Sequence, residues 1–307
     1  MDKKKKKLSP LARFRGFIQA GATLLTNLHL PNFAKGALYQ GGGKYVCVPG
    51  LNCYSCPAAS GACPIGAFQA VVGSSKFSFS YYITGFLILL GVLLGRFICG
   101  FLCPFGWFQE LLHKIPTKKL STKRLKPLTY LKYAVLLVMV FLLPAFLVND
   151  VGMGDPFFCK YLCPQGVLEG AIPLSLANSG IRAALGKLFT WKFSILLSVI
   201  ALSVLFYRPF CKWLCPLGAF YALFNRVSLF QMKVDKNKCV SCGTCARACK
   251  MDVDVTKTPN HTECIRCGMC IRACPTKAVC FRYGFGDGKD KAKAAETLQT
   301  NNTNREE

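Results

Sequence analysis

Long apolar runs at Phe79–Phe97, Leu128–Val148 and Leu188–Tyr207 dominate the pattern of the chain. Each has the roughly 20 residues that a helix needs to cross a hydrocarbon layer of about 30 Å. A fourth run, Phe14–Leu30, is interrupted by Gln19, Thr23, Thr26 and Asn27. By itself it suits an interfacial helix or a signal-peptide core as well as a span. The stretch after Phe285 is rich in Lys, Asp, Asn and Thr, lacks any apolar period and reads as disordered.

Charge settles the reading of the first run. The chain of 307 residues is 52% hydrophobic yet carries a formal net charge of +25. A nucleic-acid-binding protein rarely joins that charge to long uncharged runs, whereas a membrane protein with basic cytoplasmic segments does. Lys3–Lys7 therefore faces acidic lipid in preference to nucleic acid. Basic residues also crowd His113–Lys126 (Lys114, Lys118, Lys119, Lys123, Arg124 and Lys126), while 31–76 and 150–187 are sparser. Placing both basic segments in the cytoplasm requires an even number of crossings between them, so the weak run must cross. The expected organisation is a basic tail (1–10), an all-α transmembrane domain (11–230) with spans near 14–30, 79–97, 128–148 and 188–207, a small α+β two-cluster ferredoxin domain (231–285) and a tail (286–307). Both termini would lie on the cytoplasmic side of the inner membrane.

The 19 cysteines carry the chemistry. Near the C-terminus, Cys239-x2-Cys242-x2-Cys245-x3-Cys249 precedes Cys264-x2-Cys267-x2-Cys270-x3-Cys274-Pro275. Three cysteines on one tight loop wrap one face of a [4Fe–4S] cubane, and the fourth thiolate comes from the other run. Cys239, Cys242, Cys245 and Cys274 are thus expected to hold one cluster, and Cys264, Cys267, Cys270 and Cys249 the second. Gly243 and Gly268 stand inside the loops, where the backbone must approach closely. Zinc sites pair two Cys-x2-Cys units and have no use for the third close cysteine. Lys250 replaces the proline common after the fourth cysteine, and Lys250–Glu263 lengthens the link between the runs. Cys280 reads as a buried small hydrophobe.

A second motif repeats. Cys99-Gly-Phe-Leu-Cys103-Pro104-Phe-Gly106, Cys159-Lys-Tyr-Leu-Cys163-Pro164-Gln-Gly166 and Cys211-Lys-Trp-Leu-Cys215-Pro216-Leu-Gly218 each follow an apolar run, and a variant, Cys53-x2-Cys56-x6-Cys63-Pro64-Ile-Gly66, follows the first. Cysteines four apart share a helical face, and the proline then starts a new element. Two such helix ends supply four thiolates. The Cys-x-x-Cys-His of covalent haem attachment is absent. In the four-span topology Cys99, Cys103, Cys211 and Cys215 meet at the inner face. Cys53, Cys56, Cys63, Cys159 and Cys163, with Cys47 nearby, gather at the outer face. Cys53, Cys56, Cys63 and Cys163 are the preferred outer set, Cys159 can replace any of them, and a disulfide among the leftovers is the alternative. One or two further [4Fe–4S] clusters would join the ferredoxin pair in a chain across the bilayer.

The order of Cys99–Pro104, Cys211–Tyr221 and Cys239–Pro275 resembles the NapH-type quinol dehydrogenase family over about residues 78–282. The motifs at Cys53–Gly66 and Cys159–Gly166 look like those of an enlarged polyferredoxin branch. The resemblance implies a four-span component that passes electrons between the quinone pool and a partner redox protein. The residues support no other chemistry: no nucleophile–base constellation or dinucleotide fingerprint appears, and Gly41–Gly43 reads as a loop. His29, His113, Glu110 and Glu169 suit surface or helix-end roles better than proton transfer from a quinol, and Trp107, Trp191 and Trp213 suit interface anchors. Two further functions fit the same cysteines, an accessory reductase serving metal-centre or disulfide maturation and a membrane redox sensor.

Overall fold

A computed structural model describes residues 10–74, 80–150 and 152–284. Apart from Pro10, the expected tails (1–10 and 286–307) lie outside the described residues, as does Phe79. Helices α1 (Arg15–Thr26), α2 (Pro64–Gly73), α3 (Tyr81–Leu94), α4 (Pro104–Leu112), α5 (Arg124–Phe146), α6 (Lys187–Leu205) and α7 (Pro216–Phe224) build the first part. Three of them, α2, α4 and α7, begin at the proline of a Cys-Pro-x-Gly motif, where a missing N–H costs nothing and φ is already helical.

Among the described residues, only α5 and α6 are long and apolar enough to cross a membrane, at 23 and 19 residues. Hydropathy expects four spans of that length, and of the described helices these two reach it. The run 14–30 gives a helix of 12 residues and 79–97 one of 14, about 18 and 21 Å at 1.5 Å per residue. Each stop has a contact beside it. The Asn27 side chain donates to Thr23 O (3.1 Å) at the end of α1. Gly95 ends α3 with φ +54°, and a Cβ there would lie 2.7 Å from the Arg266 guanidinium. Helix α5 is irregular, tightening to a 3-10 turn around Pro127 and widening to a π-helix over Leu136–Leu142. Large apolar side chains such as Leu89, Leu137, Phe146 and Leu197 stay on the outside, as suits a surface facing lipid. The inner faces share one core that includes Phe68, Leu87, Phe105, Val140 and Tyr221.

The second part is clasped by an antiparallel pair, β1 (Phe230–Val234) and β2 (Val279–Tyr283), in register from Phe230–Tyr283 to Val234–Val279. Short helices α8 (Thr244–Ala248) and α9 (Met269–Ala273) pack together between them. Cys280 is exposed, contrary to the buried role expected of it, because strand alternation turns it away from buried Val279.

Buried polar contacts hold the two parts together. The Arg266 guanidinium, 1% exposed, donates to Leu94 O, Asn225 O and Ser228 Oγ, each at 2.7 Å. Glu263 pairs with buried Arg96 (2.9 Å) and with buried Lys132 of α5. Asn225 Nδ2 donates to His261 O (2.6 Å) and Cys264 O (2.9 Å). Breaking one partner of such a buried pair costs about 3–5 kcal/mol, so the ferredoxin-like part is fixed and not tethered.

Candidate metal centres

In the ferredoxin-like part the chain turns twice in the same way. Ser241 (φ 51°) and Gly243 (φ 68°) flank Cys242, and Arg266 (φ 51°) and Gly268 (φ 76°) flank Cys267. The left-handed residues curl each loop around its own cleft. Cys239, Cys242 and Cys245 line one cleft with Cys274 and Pro275. Cys264, Cys267 and Cys270 line the other with Cys249. Each cleft therefore mixes three cysteines from one run with the last cysteine of the other.

Two further groups lie among the helices. Cys99, Cys103, Cys211 and Cys215 are all buried. Burial first, then the nearby Cys211, Cys99 and Cys103 sulfurs, push the Cys215 thiol well above its ordinary value. Gly218 N donates to Cys215 Sγ at 3.3 Å. The second group lines a cavity of about 620 Å³ with Cys53, Cys63, Cys159 and Cys163, and with Cys47 as a fifth thiol. Burial, then Cys163 and Glu169, push the Cys53 thiol up to about 12. A Cβ on Gly66 would stand 3.6 Å from Cys159 Sγ, and one on Gly166 would stand 3.8 Å from Cys53 Sγ. Glycine at these positions keeps the walls of the cradle thin.

Cys56 departs from the preferred outer set. It lies beside Ala58 and Ala59 with its Sγ 3.6 Å from Asn27 Oδ1, and Cys159 occupies the wall instead. In this loop Cys56 N donates to Cys53 O (3.1 Å) and Ala59 N to Cys56 O (3.2 Å).

The two helical groups are copies of one design. Gln109 Nε2 donates to Cys211 Sγ (3.2 Å) and to Phe105 O (3.3 Å), while its Oε1 accepts from Phe210 N (3.2 Å). Gln69 does the same for Cys159 Sγ (3.2 Å), Ile65 O (3.2 Å) and Phe158 N (2.9 Å). Both glutamines are fully buried. The sixth residue after the Cys-Pro cysteine reaches across in the other two copies as well. Glu169 Oε2 accepts from Cys53 N (3.1 Å) and Tyr221 OH donates to Pro49 O (3.0 Å). Sequence reasoning missed this position, although Cys63-Pro-Ile-Gly-Ala-Phe-Gln69 and Cys103-Pro-Phe-Gly-Trp-Phe-Gln109 display it. Cations sit behind both groups. Arg96 Nη2 donates to Cys211 O (3.3 Å) and Lys192 Nζ to Cys159 O (3.0 Å).

The remaining candidates have structural partners. Glu110 pairs with Arg208 (2.8 Å) and Arg15 and accepts from Tyr207 OH. His29 stacks on Tyr39 with ring centroids 3.7 Å apart, and His113 packs edge-on against Tyr207 at 5.5 Å. Trp191 Nε1 donates to Tyr161 O (3.1 Å). Burial pushes the Glu169 carboxyl up to about 7.

The donor sets fit [4Fe–4S] clusters, with four soft thiolates per group and amide donors toward sulfur. The residues that would hold one in each place are the two ferredoxin quartets, Cys99/Cys103/Cys211/Cys215 and Cys53/Cys63/Cys159/Cys163.

Comparison with known proteins agrees. One family described as a 4Fe-4S binding domain matches residues 61–81, 78–123, 132–172 and 188–237, and a second of the same description matches 232–253 and 258–280. An uncharacterized protein of Methanocaldococcus jannaschii is 32% identical over 209 residues, which is 65% of this chain and 77% of that protein. A putative electron transport protein, YccM, of Escherichia coli is 26% identical over 55% of this chain and 45% of its own length. The ferredoxin-type protein NapH of Haemophilus influenzae is 26% identical over 36% of this chain and 52% of its own. The chain thus spans only about half the length of these last two relatives. No solved structure matches. With cysteine quartets in both parts and family matches over both, the chain belongs to the NapH-like polyferredoxin family of ferredoxin-type 4Fe–4S electron-transport proteins.

Proposed function

We propose that the chain conducts electrons between its ferredoxin-like part and the far end of its helices, through four cysteine quartets arranged in series. Bound there, [4Fe–4S] clusters supply one-electron transfer. The observation that carries this reading is a contact. Gly100, inside the Cys99–Cys103 motif, lies against Ile265 O, inside the Cys264–Cys267 loop, so closely that a side chain has no room. The second ferredoxin quartet therefore abuts the first helical quartet. The first ferredoxin quartet shares α8 and α9 with its neighbour, and Cys53/Cys63/Cys159/Cys163 follows farther along the helices.

The helix ends support a crossing of the bilayer. Arg15 of α1, Arg96 after α3, Lys132 of α5 and Arg208 after α6 all reach the ferredoxin side or the quartet beside it. Asn27 and Lys192 lie by the Cys53 group. This arrangement supports four antiparallel passes with both termini cytoplasmic, of which α1 and α3 are the two short ones. Quinone, or a partner redox protein, would exchange electrons with the chain. The fifth thiol, Cys47, favours a second reading in which the outer end reduces a disulfide or a metal centre under assembly.

The test uses the full chain in sealed vesicles with a reductant confined to the ferredoxin side. Replacing Cys99 and Cys211 by Ser should leave the ferredoxin signals reducible and the outer signal oxidised. Unchanged outer reduction would overturn the series.

A further inference from the structure

The first ferredoxin quartet differs from the other three in what surrounds it. Of the quartet cysteines, all of them described residues, Cys242 alone is exposed. Nearby Val240 is 65% exposed. Arg247 Nη2 braces the loop, donating to Cys242 O (3.1 Å) and Thr244 Oγ1 (3.2 Å). The cleft behind it is lined from the ferredoxin-like part alone, with Thr256 and Thr276 on its walls. The second quartet takes the helix side, where Ile265 and Arg266 pack on Gly100 and Leu94. The Cys242 loop is thus the end of the series that is open to water.

The charges around this loop are mainly positive. Lys236 and Lys238 precede Cys239, Arg247 grips the loop, Lys257 follows Thr256 and Lys277 follows Thr276, and all five are exposed. Two carboxylates stand among them, and both are engaged. Asp235 pairs with Lys238 (3.3 Å), and Asp254 accepts from Thr256 N (3.0 Å) and Thr256 Oγ1 (2.6 Å). Five cations against two carboxylates leave an excess of positive charge around an exposed loop with an apolar tip. Such a ring attracts an acidic surface and raises the rate of encounter with it. Anionic lipid would meet the same charges. Lipid carries no electrons, however, and a ligand cysteine at the centre of the ring serves only a partner that does.

We propose that the Cys242 loop, ringed by Lys236, Lys238, Arg247, Lys257 and Lys277, is the docking port for a small soluble electron-carrier protein with an acidic surface. The contact is small and short-lived, as suits electron transfer. One electron leaves the partner's reduced centre and enters the Cys239/Cys242/Cys245/Cys274 cluster, oxidising the one and reducing the other, with no bond formed or broken. This deepens the reading that the chain exchanges electrons with a partner redox protein, and it rests on that cluster being held there.

The test uses the full chain, purified without oxygen in nanodiscs of neutral lipid. An acidic plant-type [2Fe–2S] ferredoxin is the probe and a basic cytochrome c the control. The ferredoxin should bind, more weakly as salt rises, and should reduce the first-quartet signal, while the cytochrome should not bind. Lys238→Glu with Lys277→Glu should slow ferredoxin association about tenfold or more at low salt, with iron content unchanged. The same charge change at exposed Lys114 and Lys118, in the other basic segment, should leave association as it was. Lys238→Gln with Lys277→Gln should give a smaller loss in the same direction, which decides the matter if the glutamates disturb the fold. Equal losses in the two glutamate pairs would overturn the port, and so would a ferredoxin that binds no better than the cytochrome. Lost binding to anionic vesicles with ferredoxin association unchanged would overturn it too, and would make the loop a membrane contact. Cys99→Ser with Cys211→Ser breaks the series and should leave docking intact. An outer signal still reduced in that variant refutes the series and not the port.

Discussion

Arg96 and Arg208 reach across the helical core to each other's cysteine motif. Arg96, three residues before Cys99, donates to the carbonyl of Cys211 at 3.3 Å, and Arg208, three residues before Cys211, donates to the carbonyl of Cys99. Both guanidiniums are fully buried, and each has its own carboxylate, Glu263 for Arg96 (2.9 Å) and Glu110 for Arg208 (2.8 Å). Four thiolates around a cubane leave net negative charge in a low-dielectric interior. Two buried cations, locked in place by carboxylates, offset it.

Glu110 should make stability pH-dependent. Burial pushes its carboxyl up, but Arg208 and then Arg15 pull it down to about 2, against 4.5 when unperturbed. A carboxyl depressed in the folded state stabilises above its unfolded pKa and loses that contribution as pH falls through the folded one. The contribution is about 3 kcal/mol, present above about pH 4.5 and lost toward pH 2. Glu110→Gln should therefore be less stable than the native chain at neutral pH, and the gap should close on acidification. Denaturant melts across pH check this, and a gap independent of pH would contradict it.

The two glutamines should behave as a matched pair. Gln109→Leu removes the donor to Cys211 Sγ and leaves Phe210 N unpaired. Gln69→Leu does the same to Cys159 Sγ and Phe158 N. Each should cost about 1–3 kcal/mol and lower the potential of its own cluster only. Redox titration with thermal melts reads both effects.

Cys159 and Cys56 should separate cleanly. Cys159 lines the outer cavity and Cys56 does not. Cys159→Ala should lose about four irons per chain, and Cys56→Ala should lose none. Anaerobic iron assay decides, and the reverse pattern would restore Cys56 as the ligand.

Gly100→Val tests the junction. Its side chain would collide with Ile265 O and push the ferredoxin part away from the Cys99 motif. Iron content should be unchanged, while electron transfer between the ferredoxin signals and the helical ones slows. Equal rates by freeze-quench spectroscopy would show that electrons take another route.

Much of this was readable in the residues. The spacing Cys-x2-Cys-x2-Cys-x3-Cys fixes which loop must curl, and Ser241, Gly243, Arg266 and Gly268 adopt the positive φ that it needs. Cys-Pro-x-Gly marks the starts of α2, α4 and α7. What hydropathy misjudges is where helices stop. Gly95 yields to Arg266, some 170 residues away in sequence, and no local pattern encodes that. The choice between Cys56 and Cys159 likewise depends on a loop turning toward Asn27. The glutamines were visible as a repeat, but their partners Phe158 and Phe210 come from distant chain.

Iron and acid-labile sulfide, counted in protein purified without oxygen, test the series most directly. Four cubanes predict about sixteen of each per chain. About eight, with only ferredoxin-type signals, would mean that the helical quartets hold no clusters and conduct nothing.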